Sequence, residues 1–156
     1  ADVRRVYDVN VFGTLHMIRA VLPSMLECNR GIIHNVSSGV GITGFQNLLG
    51  YASSKGALET LTRSLSFEYR RTGIVFNVMH PPLTNTPSAR PIGLPEEMLE
   101  DPEKVGRALA GKIFSTRKVV APSWKSDIGI RMMKLFPYFM GKFMSGLTFR
   151  DKKKGI

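Results

Sequence analysis

"GIIHNVSS", residues 31–38, is the stretch whose reading decides the fold. It opens on a glycine, carries a β-branched run through Ile32, Ile33 and Val36, and closes on two serines. That pattern reads as a buried strand with hydroxyl groups at its mouth. Helical patterns flank it. Residues 2 to about 28 place Val6, Val9, Phe12, Gly13, Met17, Ala20 and Val21 at helical spacings, with Pro23 set to kink the final portion. A loop containing Gly39, Gly41 and Gly44 then leads to a second helix over about 50–72.

Beyond it, "GIVFNVM" (73–79) reads as the next strand, and "HPPLTNTPSARPIGLP" is too rich in proline to be anything but a long loop. "DPEKVGRALAGKIFS" predicts a helix over about 102–115, with Asp101 as N-cap and Pro102 in the first turn. "RKVVAP" supplies one short final strand. The alternation of helix and strand argues for an α/β layered fold with parallel strands. The chain shows no internal repeat, and the first change in character falls at about residue 122.

At 156 residues, 43% of them apolar, the chain suits one domain with a real core. No 18-residue apolar run indicates a conventional transmembrane helix, and "ADVRRVYDVN" lacks the sections of a signal peptide. Cys28 is the single cysteine and reads as a small apolar filler, which makes a cytoplasmic setting the default expectation. The net charge of +10 is uneven. Residues 117–156 hold ten Lys or Arg against Asp127 and Asp151, so +8 of it sits there. Such asymmetry fits an anionic membrane surface or a solvated tail. Nucleic acid is not expected, because no interleaved aromatic and basic recognition motif occurs.

"YASSK", residues 51–55, puts Tyr51 and Lys55 one turn apart on one helix face. The spacing alone decides nothing, since "YFMGK" (138–142) repeats it with Tyr138 and Lys142. Taken singly, Tyr51 reads equally as an aromatic packed on the sheet, Ser38 as a turn residue, and Asn10 as a hydrogen-bonding residue between helices. Context separates the two pairs. Thirteen residues before Tyr51 stands Ser38, at the mouth of a strand; thirteen before Tyr138 stands Lys125, which offers no hydroxyl. Asn10 lies in the first helix, in "DVNVFGT", and the strand after the Tyr–Lys helix ends in "NVMHPPLTNTP".

In order and spacing, residues 1–121 resemble the C-terminal part of the short-chain dehydrogenase/reductase family. The resemblance implies the C-terminal portion of a Rossmann-type doubly wound parallel sheet, with residues 122–156 as a basic amphipathic extension. It implies an NAD(P)-dependent oxidoreductase that interconverts an alcohol and a ketone, with NADP favoured over NAD on family frequency alone. Asn10 matches the helix asparagine that holds a water near the catalytic lysine. Ser38 matches the substrate-orienting serine, Tyr51 the proton-transferring tyrosine, and Lys55 its partner, which also reaches the nicotinamide ribose. Pro81, Pro82, Thr84 and Thr86 match the segment that contacts the nicotinamide end of the cofactor. Pro82 departs from the pattern: the family most often has glycine there, and proline offers no N–H. A homodimer or homotetramer of the full-length protein is implied as well. It would form through the first helix and the Tyr–Lys helix, with Phe12, Ala57 and Leu61 facing outward.

The residue types suit the chemistry. Ketone reduction needs hydride at carbon and a proton at the developing alkoxide. A phenol titrates at about 10, too high for easy exchange at neutral pH, and an ammonium one turn away favours the phenolate. A serine hydroxyl can hold the carbonyl oxygen and steady the charge that builds there.

The family's glycine-rich phosphate-binding turn does not occur in these residues, because only nine precede Asn10. The expectation is therefore a piece of a longer family member, inactive by itself, with little cofactor affinity and an unpaired strand edge. The alternative is a non-catalytic remnant that binds a partner or a membrane surface. From Ser126, "DIGIRMMKLFPYFMGKFMSGL" predicts a helix kinked or split at Pro137. One face would carry Ile128, Met132, Leu135, Phe139, Met140 and Phe143, and the other Arg131, Lys134, Tyr138 and Lys142. The expected role is a packed lid whose apolar face meets the loop of residues 87–94 over a hydrophobic substrate. Docking on an anionic membrane is the alternative, and "RDKKKGI" reads as a solvated tail.

Overall fold

The computed structural model describes residues 2–87, 89 and 93–149. Helix α1 (Val3–Tyr7), a π-helical turn (Asp8–Gly13) and α2 (Thr14–Glu27) form one continuous helix that runs on through Pro23. Contrary to the reading of the sequence, this helix is long and apolar enough to cross a membrane by length and composition, at a mean hydropathy of 1.2. Its Val11, Ile18 and Leu22 are nevertheless buried inside the protein. Cys28 caps its C-terminus and is exposed, so it fills no core position.

Strand β1 (Gly31–Val36) pairs in parallel with β2 (Ile74–Met79), from Gly31 opposite Ile74 to Val36 opposite Met79. The short β3 (Val119–Val120) lies parallel on the other side of β2, giving the order β1-β2-β3. The α/β parallel architecture expected from the sequence is present. Among the described residues β1 is paired along one edge only.

The glycine-containing loop after β1 winds into a short helix, α3 (Val40–Thr43). Helix α4 (Leu49–Glu68) follows and stops four residues sooner than expected. The chain turns back there, with the Thr72 hydroxyl donating to the Tyr69 carbonyl at 2.8 Å. Helix α5 (Pro102–Ala110) starts where expected, because the Asp101 carboxylate accepts from the Lys104 N–H at 3.0 Å. It ends early, in turns that are tethered to the sheet. His34 and Asn77 face each other across β1 and β2. From there His34 Nε2 bonds the Ile113 carbonyl at 2.7 Å, and Asn77 Nδ2 donates to the Ser115 carbonyl at 2.9 Å.

The core lies between the sheet and helices α2 and α4. Ile18 and Leu22 meet Ile33, Ile74 and Phe76, and the Tyr69 ring lies 5.6 Å from that of Phe76. Each such side chain contributes about 1.5–3 kcal/mol by leaving water. Leu61 packs against this cluster and so does not face outward as expected. Phe12 is exposed and Ala57 is half-buried.

The C-terminal segment forms two helices, α6 (Trp124–Leu135) and α7 (Pro137–Phe149). Pro137 divides them: the residue before a proline is driven out of helical conformation, and Phe136 sits at φ −130°, ψ 58°. The expected apolar face is turned to solvent. Ile128, Met132, Leu135, Phe139 and Phe143 are all exposed, while Ile130 is buried on the opposite stripe of α6. The lid reading placed the wrong stripe inward, because Ser126, Gly129 and Ile130, small or isolated among polar neighbours, give the weaker pattern. "RDKKKGI" and part of the segment 87–94 lie outside the described residues.

Candidate active site

β1 and β2 end side by side, and the loops that leave them, together with the start of α4, form the site. Ser37 is buried, and its hydroxyl donates to the Lys55 carbonyl at 3.2 Å, joining the end of β1 to α4. The next residue, Ser38, is half-buried. Tyr51 stands in the first turn of α4, partly exposed, and the Lys55 ammonium lies 5.6 Å from its ring centroid. Lys55 Nζ donates to the Val36 carbonyl at 2.9 Å. Burial holds the Lys55 ammonium below its ordinary value near 10.5.

A cleft of about 660 Å³ is lined by Ser38, Tyr51, Lys55, Pro81, Pro82, Thr84 and Thr86. Seven of the eight residues singled out in the sequence thus meet in one cavity. The eighth, Asn10, is not in its lining. Asn10 sits in the π-helical turn, and its Nδ2 donates to Ser54 Oγ at 3.0 Å. Ser54 is fully buried and donates to the Tyr51 carbonyl at 2.8 Å, so Asn10 braces the turn of α4 that carries the pair. Thr84 donates to the Pro82 carbonyl at 2.8 Å, holding the loop after β2 in a tight bend.

A second cavity, of about 310 Å³, adjoins the first and shares Ser38, Pro81 and Pro82 with it. Its far wall is apolar: Leu94, Met98, Ile130, Met133 and Met144 line it. Helices α6 and α7 therefore do enclose a cavity next to the serine.

Two features escaped the sequence reading. Gly41 in α3 lies against α4, and a Cβ there would stand 2.8 Å from the Lys55 carbonyl carbon and 2.9 Å from the Gly56 nitrogen. Only a residue without a side chain lets the loop after Ser38 rest on the turn that holds Lys55. The other feature is buried: Glu59, one turn beyond Lys55, places Oε1 2.9 Å from Nε2 of His80. Burial by itself pushes the Glu59 carboxyl up. The hydrogen bond and charge of His80, aided by Ser37 and Lys134, outweigh it and hold the group below its ordinary 4.5. His80 precedes Pro81, so this pair ties α4 to the loop after β2. Its only signal in the sequence is the i, i+4 relation of Glu59 to Lys55.

The family profile described as short chain dehydrogenase matches residues 1–97. The chain belongs to the short-chain dehydrogenase family. Among its relatives, the 3-alpha-(or 20-beta)-hydroxysteroid dehydrogenase of Mycobacterium bovis is 42% identical over 84 residues, 54% of this chain and 32% of that protein. The cyclohexanol dehydrogenase of an Acinetobacter species is 33% identical over 118 residues, 69% of this chain and 45% of that protein. The crystal structure of a 3-oxoacyl-[acyl-carrier protein] reductase with bound NAD, from Brucella melitensis, is 32% identical with a TM-score of 0.62. That match covers 78% of this chain and 51% of the reductase. This short-chain dehydrogenase chain thus spans 32% and 45% of the length of the two curated relatives.

Proposed function

We propose that the protein carrying this chain is an NAD(P)-dependent oxidoreductase that interconverts a secondary alcohol and a ketone. The observation that carries the reading is the single cleft shared by Ser38, Tyr51, Lys55 and the Pro81–Thr86 segment. The donor set of that cleft fits the nicotinamide end of the cofactor. Lys55 offers an ammonium to it, Thr84 and Thr86 also line it, and Pro81 and Pro82 contribute rigid apolar surface. When bound, the nicotinamide supplies or accepts the hydride.

The chain's own residues handle the oxygen and its proton. Ser38, on the boundary between the two cavities, holds the substrate oxygen as charge builds on it. The Tyr51 hydroxyl gives its proton to that oxygen in reduction and takes it back in oxidation. Lys55 Nζ stays 5.6 Å from the ring centroid, fixed by the Val36 carbonyl. Asn10 keeps this turn of α4 in place through Ser54. The apolar wall of the second cavity suits a hydrophobic substrate body, which leaves the hydroxyl-bearing carbon at Ser38. Exposed Val9, Phe12 and Met17 on the first helix give the full-length protein an apolar face for a second copy.

The test is hydride transfer by the full-length protein, followed at the nicotinamide absorbance with cyclohexanol as the alcohol probe. Loss of turnover in Tyr51→Phe with cofactor binding intact supports the assignment. Equal rates in the two proteins would sink it.

A further inference from the structure

Helices α6 and α7 bury one side against the protein and leave the other side bare. On α6 the inward stripe of Gly129, Ile130 and Met133 lines the apolar cavity. The outward stripe is also apolar: Trp124, Ile128, Met132 and Leu135 fall at i, i+4, i+8 and i+11 and are 41–70% exposed. On α7, Phe139 and Phe143 continue it, at 69% and 53% exposed. Among the described residues, eight of the twenty exposed large apolar side chains lie between 124 and 143. A soluble surface rarely concentrates them so.

The charges around this strip are almost all of one sign. Lys125, Arg131, Lys134 and Lys142 are exposed on these helices, Lys134 at the edge that also faces Glu59 and α4. Their single acid, Asp127, is engaged by Arg131 at 3.1 Å and Arg117 at 3.5 Å, which leaves no exposed negative charge unpaired there. Apolar and aromatic side chains flanked by cations are what a helix needs to lie in the headgroup boundary of an anionic bilayer. The break at Phe136 divides the segment into two short helices.

We propose that α6 and α7 form a docking surface for anionic membrane, with Trp124, Ile128, Phe139 and Phe143 entering the interface and Lys125, Arg131, Lys134 and Lys142 meeting the lipid phosphates. Because α6 lines the apolar cavity with its opposite stripe, docking sets that cavity directly behind the lipid surface. This inference stands on the exposed side of the helices and does not depend on the oxidoreductase reading.

The experiment is flotation of the full-length protein with vesicles of phosphatidylcholine alone and of phosphatidylcholine with phosphatidylserine, at low and raised salt. Emission from Trp124, the single tryptophan of these 156 residues, is followed in parallel. The expected result is flotation with the anionic vesicles, weakened by salt, with a blue shift of Trp124. Each cation near such a surface is worth roughly a five-fold gain in partitioning. Replacing all four by glutamine should therefore lower it on the order of a hundredfold or more. Ile128→Ser with Phe139→Ser and Phe143→Ser should abolish flotation while the circular dichroism spectrum stays native. None of these residues lines the cleft with Tyr51.

The proposal is overturned by absence of flotation with anionic vesicles, or by flotation that survives neutralisation of the four cations. It is overturned equally if sedimentation shows a dimer that the serine variants dissociate while no vesicle binding occurs. The strip would then be an interface between copies.

Discussion

Tyr51 and Lys55 stand four residues apart in a helix, and so do Tyr138 and Lys142. The first pair opens α4 at the mouth of two parallel strands. Its lysine is half-buried, bonded to the Val36 carbonyl and held below its ordinary titration range by burial. The second pair lies on α7 beside residues 43–46, where Tyr138 is 92% exposed and Lys142 is exposed. Identical spacing gives a chemical device in one place and a solvated surface in the other. What differs is the ground beneath the helix. A strand end supplies a carbonyl for the ammonium and a serine in the same cleft, and a helix packed by its far side supplies neither.

The widest gap between the two pairs should appear in turnover. Removing the phenolic hydroxyl by Tyr51→Phe is expected to cost about 10²–10⁴-fold in kcat, the range for loss of a positioned proton donor. Tyr138→Phe should leave kcat unchanged. Steady-state kinetics on both variants of the full-length protein breaks the comparison if Tyr138→Phe loses more than Tyr51→Phe.

How much of this was legible beforehand depended on the kind of signal. Strands β1 and β2 showed because β-branched runs between glycine and proline have few other uses. The cleft showed through the family resemblance, which took Ser38, Tyr51, Lys55 and the residues from Pro81 to Thr86 together; the Tyr–Lys spacing by itself, repeated at Tyr138 and Lys142, decided nothing. The Glu59–His80 contact did not, since it joins residues from a helix and a loop that only the packing of α4 on β2 brings together. Nor did the burial of Ile130. The strongest apolar periodicity of α6 faces solvent, whereas an amphipathic helix is ordinarily expected to turn its greasier stripe inward.

Packing separates the regions by a smaller amount. Gly41→Ala would drive a methyl to 2.8 Å from the backbone of Lys55. Overpacking of this sort costs about 1–3 kcal/mol, and here the strain moves Lys55. Turnover should fall together with the denaturation midpoint. Gly146 in α7 has open space around it, and alanine there should stabilise by about 0.5–1 kcal/mol through helix propensity. Chemical denaturation of the two variants checks the opposite signs. A destabilised Gly146→Ala, or an undisturbed Gly41→Ala, would erase the distinction.

The buried and exposed ion pairs differ in how they respond to acid. Glu59 is held below 4.5 in the folded protein, so the unfolded chain binds more protons between the folded value and 4.5. Its contribution is complete above 4.5 and is lost as pH falls through the folded value. The stability gap between wild type and Glu59→Gln should therefore shrink on acidification. Lys55 gives the same sign of slope at high pH, but as a penalty that is relieved and not as a contribution that is gained. Its lowered pKa means that folding costs least once both states are neutral, so its penalty is relieved as pH rises towards 10.5. Glu103 pairs with Arg107 on the exposed side of α5, and Glu103→Gln should change the denaturation midpoint little. Denaturant midpoints from pH 3 to 7 decide it: a gap for Glu59→Gln that does not change with pH contradicts the buried-pair account.

The smallest effect sharpens the contrast most finely. Ser123 caps α6 by accepting from the Ser126 N–H at 3.2 Å, as Asp101 caps α5. Removing a cap costs about 1 kcal/mol. In Ser123→Ala that cost falls on a helix that touches the rest of the protein along a single stripe, so it should appear as fraying of the first turn of α6. Hydrogen exchange should then accelerate at the amides of the first turn, where the cap's bond is lost, and stay unchanged along β1, β2 and α4. Tyr51 and Lys55 do not lean on that turn, and kcat should hold. Ser126 and Gly129 do line the apolar cavity, so KM for a hydrophobic alcohol should rise. Faster exchange that spreads into α4 would mean that the catalytic wall and the C-terminal helices share one cooperative unit. The difference between the two tyrosine–lysine pairs would then be one of exposure alone.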